Sequence, residues 1–334
     1  MHKLSYSFII PVYNRPIEIK ELLTSFLELK GGFKYEIVIV EDGSIEPSEV
    51  VVNQFSSKLN ISYYFKPNSG PGASRNFGMQ RANGNYFIVL DSDVILPSNY
   101  LVEVDNYLQK KFFHCFGGPD AAHKSFSALQ KAINFSMTSF LTTGGIRGGS
   151  EAVDDFQPRS FNLGLSKEAF EAIGGFGKIH PGEDPDLVLR LQKKGFNTTL
   201  IKNAFVYHKR RISWKKFYTQ VNKFGKVRPI LNKWHPESKK ITYWFPSLFL
   251  IGFILAICLF FFGNFYLLMF YGFYFSLILL SAFITTKSLQ IAIMSLVAVA
   301  IQFYGYGSGF LSSTVKLSLS KKPIEAIFPK LFFK

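Results

Sequence analysis

Two cysteines in 334 residues leave little room for oxidative chemistry. Cys115 and Cys258 make neither a disulfide framework nor a cysteine-based metal site, which suits a reducing compartment. The first residues are not expected to act as a signal peptide. Met1-His2-Lys3-Leu4 runs straight into Ser7-Phe8-Ile9-Ile10-Pro11-Val12, with no small-residue cleavage site. The large N-terminal part is therefore expected in the cytoplasm, and Asn60-Ile-Ser, Asn134-Phe-Ser and Asn197-Thr-Thr are read as chance matches to the glycosylation pattern. Acidic residues are few, 23 against 38 Lys and Arg, giving a net charge of +15.

Polar residues are scarce in three places. Phe245 to Phe262, Phe265 to Ile284 and Leu289 to about Phe310 are almost wholly apolar. Each approaches the roughly 20 residues that span a bilayer as a helix. Two to four transmembrane helices, in our count three, are expected within 245–314, followed by a basic tail at 315–334. The positive charge crowds between Lys202 and Lys240, including Lys209, Arg210 and Arg211, just before the first run. That position fits the positive-inside tendency and anionic lipid better than nucleic acid. Within it, Trp214, Phe217, Tyr218, Val221 and Phe224 recur at helical spacing. Such a stripe suits a helix lying on the membrane or packing on its own catalytic domain. Three spans starting inside would leave the Lys-rich tail outside, against the same tendency, so topology stays open.

Before about Trp244, apolar runs alternate with polar punctuation. Tyr6–Val12, Tyr35–Val40, Ile61–Phe65 and Tyr86–Leu90 read as strands. Between them, Asn14 offers an N-cap with Pro16 in the first turn, Ile19 to Leu27 follow at helical spacing, and Gly31-Gly32 ends that helix. A second helix runs from about Ala73 to Arg81. Strand and helix alternating in this way imply parallel strands with right-handed crossovers.

Polar residues gather at the strand ends: Pro11, Tyr13 and Asn14; Asp42; Asn68 to Asn76 with Gly72 and Arg75; and Asp91-Ser92-Asp93. A D-x-D pattern alone arises by chance about once per chain of this size. Directly after an apolar strand it lies where open α/β sheets bind ligands. Carboxylates suit a hard divalent cation, and such a cation suits a diphosphate. The Asn68–Gly72 turn offers backbone N–H groups to an anion but is neither a Walker loop nor G-x-G-x-x-G. Gly182-Glu183-Asp184-Pro185-Asp186 precedes an amphipathic helix. Asp184 there is a base candidate or an N-cap ahead of Pro185, and Asp186 supports the helix start. Gly174-Gly175 ends a helix begun near Ser166. Gly144–Gly149, with Arg147, reads as a closing loop or a plain connection.

Together, F-I-I-P-V-Y-N, V-I-V-E-D-G-S, N-S-G-P-G-A-S-R-N-F-G, F-I-V-L-D-S-D, F-N-L-G-L-S-K-E-A-F-E-A-I-G-G-F-G and G-E-D-P-D-L-V-L-R-L-Q-K-K-G resemble the family 2 glycosyltransferases over residues 5 to 212. The resemblance implies an α/β GT-A nucleotide-diphospho-sugar transferase fold, a Rossmann-like mixed sheet, on 1–212, with a donor half to about 115 and an acceptor half from 116. A basic amphipathic segment at 213–244 would lead to the transmembrane helices. It further implies inverting, metal-dependent transfer from a nucleotide-diphosphate donor, taken as a UDP-sugar, with Mn²⁺ or Mg²⁺. Asp42 would contact the nucleoside. Pro11, Tyr13, Asn14, Asn68, Gly72, Arg75 and Ser92 would line the donor pocket. Asp91 would sit near the ribose and Asp93 on the metal. Asp184 would be the base with Glu183 beside it. His208, at a strand end, would touch the metal or diphosphate, or be structural. The expected site of action is the cytoplasmic face of an inner membrane, on a lipid-linked or cell-surface glycan in polysaccharide biosynthesis. A polyprenyl phosphate acceptor is the alternative, and a non-catalytic membrane adaptor disagrees with the intact Asp93 and Asp184. Gln220 to Arg228 departs from the Q-x-x-R-W element of processive members, which disfavours a polymer synthase.

Overall fold

The computed structural model describes residues 3–121, 126–143, 156–208 and 213–333. Gly144–Gly149 with Arg147, and Lys209, Arg210 and Arg211, lie outside the described residues. The chain divides into two compact units: one of Met1–His123, Glu151–Lys209 and Phe332–Lys334, the other of Lys124–Ser150 and Arg210–Leu331.

The first unit opens with β1 (Tyr6–Val12), α1 (Pro16–Phe26), β2 (Tyr35–Asp42), α2 (Glu49–Asn53), β3 (Ile61–Lys66), α3 (Pro71–Arg81) and β4 (Tyr86–Leu90). It continues with β5 (Val94–Ile95), α4 (Tyr100–Lys110), β6 (Cys115–Gly117) and β7 (Asp120–Ala121). The chain then leaves for the second unit in α5 (Ala128–Thr138) and α6 (Phe140–Thr143). It returns with β8 (Asn162–Ser166), α7 (Lys167–Ile173), α8 (Glu183–Lys193), β9 (Thr198–Leu200) and β10 (Val206–His208).

Seven strands form one sheet in the order β3-β2-β1-β4-β8-β6-β9, and β5-β10-β7 form a second. The first four are parallel, with Ile9 level with Val38 and Val89. β8 runs antiparallel to both neighbours, so the sheet is mixed. Both faces of β1, β2 and β4 are covered, which is why they read as apolar runs, while the edge strand β3 is only half-buried. Phe8, Ile10, Ile39 and Ile88 pack with Leu22, Leu23 and Leu101 on one face. Ile9, Val38, Val40 and Val89 pack with Met79, Leu187 and Leu191 on the other.

Three local expectations need correcting. Arg15, not Asn14, is the N-cap of α1. Asn14 takes a left-handed φ of 52° and its Oδ1 instead accepts the backbone N–H groups of Ile45 and Glu46 at 2.8 and 3.1 Å. α1 ends at Phe26, leaving Gly31 and Gly32 in the following loop. The N-cap of α8 is Gly182, so Asp184 lies inside the first turn. Elsewhere the cap chemistry is as expected: Ser166 caps α7 through the N–H of Ala169, and left-handed Gly174 closes it.

The second unit holds α9 (Trp214–Trp234), α10 (Phe245–Phe261), α11 (Tyr266–Thr286), α12 (Leu289–Leu319) and α13 (Ile324–Ile327). Among the described residues, three helical segments are long and apolar enough to cross a membrane: Ile241–Phe261, Tyr266–Thr286 and Leu289–Leu319. At 1.5 Å per residue, α12 is about 46 Å long, well beyond a hydrocarbon core of ~30 Å. The stripe on α9 faces other helices of its own unit. Phe217 and Val221 are buried with Ile133 and Met137 of α5 and Ala298 of α12. Phe135 of α5 joins Ile278, Ala292, Val299 and Phe303 of α11 and α12. The described 126–143 stretch, expected in the acceptor half, thus folds with the helical unit, where Ile133, Phe135 and Met137 are buried.

Small residues let α9 and α12 meet backbone to backbone. A Cβ at Gly309 would stand 2.4 Å from Asn222 O, and one at Gly225 2.2 Å from Tyr306 O. Gly309→Leu is expected to cost about 1–3 kcal/mol through overpacking. It should lower the midpoint of thermal unfolding in detergent. Gly272→Leu, where a Cβ meets nothing within 4 Å, should leave that midpoint unchanged.

Candidate active site

The end of β4 delivers Asp91, Ser92 and Asp93, and the short β5 carries the chain onward. β5 pairs antiparallel with β10, placing Val94 opposite His208. That pairing sets His208 Nε2 3.2 Å from Asp93 Oδ1. The ring of Phe161 stacks on His208 with centroids 5.0 Å apart. Asp91, Asp93 and His208 each offer one ligand atom, all within 4.8 Å of one another. Two carboxylates and an imidazole fit a divalent cation such as Mn²⁺ or Mg²⁺.

Arg75 reaches this cluster from α3. Its buried guanidinium places Nη2 2.8 Å from Asp91 Oδ1 and Nη1 3.1 Å from Glu183 Oε1. The ring of Phe176 lies against it, 5.2 Å to the centroid. Glu183 also meets His180 Nδ1 at 2.9 Å. Burial opposes the charge on Glu183, but the hydrogen bond and charge of His180 and the charge of Arg75 outweigh it and hold the carboxyl below its usual range. Asp184 moves the other way. Burial, then the adjacent Glu183 charge, push its proton affinity up against Arg75, Arg159 and a hydrogen bond from Ser160. Its Oδ1 is buried with no hydrogen-bond partner among the described residues. Asp186 does not join this group: it pairs with Arg190 at 2.9 Å, one turn along α8.

The nucleoside-side residues are largely occupied with one another. Asp42 is buried and accepts from the N–H groups of Ser69 and Gly70, both at 2.9 Å, and from Lys66. Asn68 Nδ2 donates to Asp42 O at 2.8 Å. Asn14 is spent on the 45–46 backbone, as described above. These three residues tie the ends of β1, β2 and β3 into one rim. Pro11 and Ser92 lie part-buried and buried at their strand ends, while Tyr13 is half exposed. Gly72 passes close to the 177 backbone, where a Cβ would stand 3.0 Å from Gly177 O. Phe332 bridges to Ile179, and the ring of Phe333 lies against Gly70 and 5.7 Å from that of His180.

Sequence patterns did not point to His180, Ser160 or Arg15. Arg15 Nη1 lies 3.8 Å from Asp93 Oδ2 and 2.7 Å from Glu18. Its position beside Asn14, at the end of the first strand, was the one available signal.

Comparison with known proteins follows this geometry. Residues 7–163 match glycosyl transferase family 2, and residues 86–303 match glycosyl transferase family group 2. An uncharacterized glycosyltransferase of Rickettsia felis is 38% identical over 93 residues, 28% of this chain and 15% of that protein. The poly(ribitol-phosphate) beta-N-acetylglucosaminyltransferase TarS of Staphylococcus aureus is 34% identical over 112 residues, 32% of this chain and 19% of its own length. The chain thus spans a small part of these relatives. The fold matches the mannosyltransferase PcManGT from Pyrobaculum calidifontis, solved in complex with GDP-Man and Mn²⁺, with a TM-score of 0.61. That match has 15% identity over 91% of this chain and 88% of the other. With the second match covering residues 86–303, well over half of the chain, and the GT-A-like sheet alongside it, the protein belongs to glycosyl transferase family group 2.

Proposed function

We propose that this protein is an inverting, metal-dependent glycosyltransferase of a membrane, moving a sugar from a nucleoside-diphosphate donor, a UDP-sugar, to a lipid-linked or cell-surface glycan. The observation that carries this reading is one crevice holding both a three-ligand cation cluster and, through Arg75, a buried carboxyl with raised proton affinity. The name of TarS, a beta-N-acetylglucosaminyltransferase, supports transfer of a sugar. The three apolar helices support a membrane setting.

Asp91, Asp93 and His208 would hold the metal. When bound, a divalent cation there supplies charge neutralisation to the leaving diphosphate. The protein's own residues do the rest. Asp184 accepts the proton of the acceptor hydroxyl as its oxygen attacks C1 of the sugar. Its raised proton affinity suits a base working near neutrality. Glu183 stays ionised against Arg75 and His180 and keeps that affinity high. Arg75 fixes Asp91 relative to Glu183, so donor and base sides hold one spacing.

A panel of nucleotide sugars offered to detergent-purified protein with membrane lipid extracts, read by mass spectrometry, should give one transferred sugar. EDTA should abolish transfer and Mn²⁺ or Mg²⁺ restore it; EDTA-insensitive transfer would overturn the metal-dependent reading. Asp184→Asn should lower kcat about 10²–10⁴-fold, the usual contribution of a general base. A mild effect would instead favour a polyprenyl phosphate acceptor, already an anion. The acid limb of kcat/KM tests the pairing of carboxylates. A raised Asp184 pKa sets that limb above the ordinary carboxylate range, and activity falls as pH drops through it. Glu183→Gln removes the neighbouring negative charge, so the limb should move to lower pH. A limb that stays put or rises contradicts the assignment.

A further inference from the structure

His208 is flanked by two carboxylates on opposite sides of its ring. Nε2 faces Asp93 at 3.2 Å, and Nδ1 faces Asp120 Oδ2 at 3.9 Å. Asp120 comes from β7, which pairs in parallel with β10 and sets Val206 level with Asp120. Phe161 covers the face of the imidazole. The ring is therefore fixed in plane by stacking and in rotation by a charge at each nitrogen. All three side chains are largely withdrawn from water: Asp93, Asp120 and His208 are 14%, 13% and 17% exposed.

A neutral imidazole carries one proton on one nitrogen. To ligate a cation through Nε2, the ring must hold its proton on Nδ1. That proton then needs an acceptor, and Asp120 is the carboxylate facing it. We propose that Asp120 is a positioning residue for the cation site, selecting the Nδ1–H tautomer of His208 so that the Nε2 lone pair turns toward Asp91 and Asp93. The inference rests on the cation reading of that cluster and assigns Asp120 no contact with the donor or with the reacting atoms. Carboxylate partners of ligating histidines typically change metal affinity 10–100-fold.

The test is Mn²⁺ binding to the full chain in detergent, followed by electron paramagnetic resonance of free Mn²⁺, without donor or acceptor. Asp93→Asn should abolish binding; if it does not, the cluster is not the cation site and the underlying reading fails instead. With that control satisfied, Asp120→Asn should weaken Mn²⁺ by 10–100-fold and Asp120→Glu should recover part of the loss. With diamagnetic Mg²⁺ bound in place of Mn²⁺, the ¹⁵N shifts of His208 should report Nδ1–H in the wild type and a shift toward Nε2–H in Asp120→Asn. A structural role alone would lower the thermal midpoint without moving the tautomer. Mn²⁺ affinity within twofold of wild type in Asp120→Asn, or an unchanged tautomer, overturns the proposal.

Discussion

One buried guanidinium governs the electrostatics of this crevice. Asp91 and Asp93 come from the link between β4 and β5, Glu183 and Asp184 from the start of α8, and Arg75 is the cation that bridges the two pairs. Its two ion pairs join residues 16 and 108 positions away. Removing a partner from a buried ion pair leaves an uncompensated charge and costs about 3–5 kcal/mol. The arrangement stands because β1 and β4 are neighbours, because α3 begins in the turn after β3, and because α8 begins directly at Glu183. The unequal treatment of two adjacent carboxyls follows. Glu183 has Arg75 and His180 to hold its charge, while Asp184 has burial and a negative neighbour.

The rim of the crevice follows a different rule. Asp42, Asn68 and Asn14 look like ligand-binding groups in a bare sequence, since polar side chains at strand ends are where ligands sit. In the fold they first satisfy backbone groups of irregular turns, N–H groups for Asp42 and Asn14 and the Asp42 carbonyl for Asn68. Asp42 does so for Ser69 and Gly70, Asn14 for Ile45 and Glu46. A nucleoside would therefore meet a rim already knitted together, with Tyr13 as its exposed aromatic element.

What the sequence made legible has a physical basis. β1, β2 and β4 stand out because both of their faces are buried, and the three apolar segments because each runs for about twenty residues without a charge. Asp91-Ser92-Asp93 and Glu183-Asp184 are legible because each carboxylate group is contiguous and follows or opens a regular element. Asp120 and Ser160 are single residues whose partners are created by tertiary pairing, so no spacing announces them, and His180 meets Glu183 three residues on across an irregular turn rather than a regular element. The role of α5 was hidden for a related reason. Its apolar stripe is short, and nothing local says that it is buried against helices arriving over a hundred residues later.

That displaced helix has a practical meaning for anyone seeking a soluble catalytic fragment. The polypeptide enters the helical unit at α5 and leaves it again before β8, so a single cut at residue 212 does not separate the two units. It would keep α5 while discarding α9, α11 and α12, the helices that cover Ile133, Phe135 and Met137. Those side chains would then face water as an adhesive patch, and the fragment would need detergent or a replacement for the missing helices even though every segment apolar enough to cross a membrane had been removed.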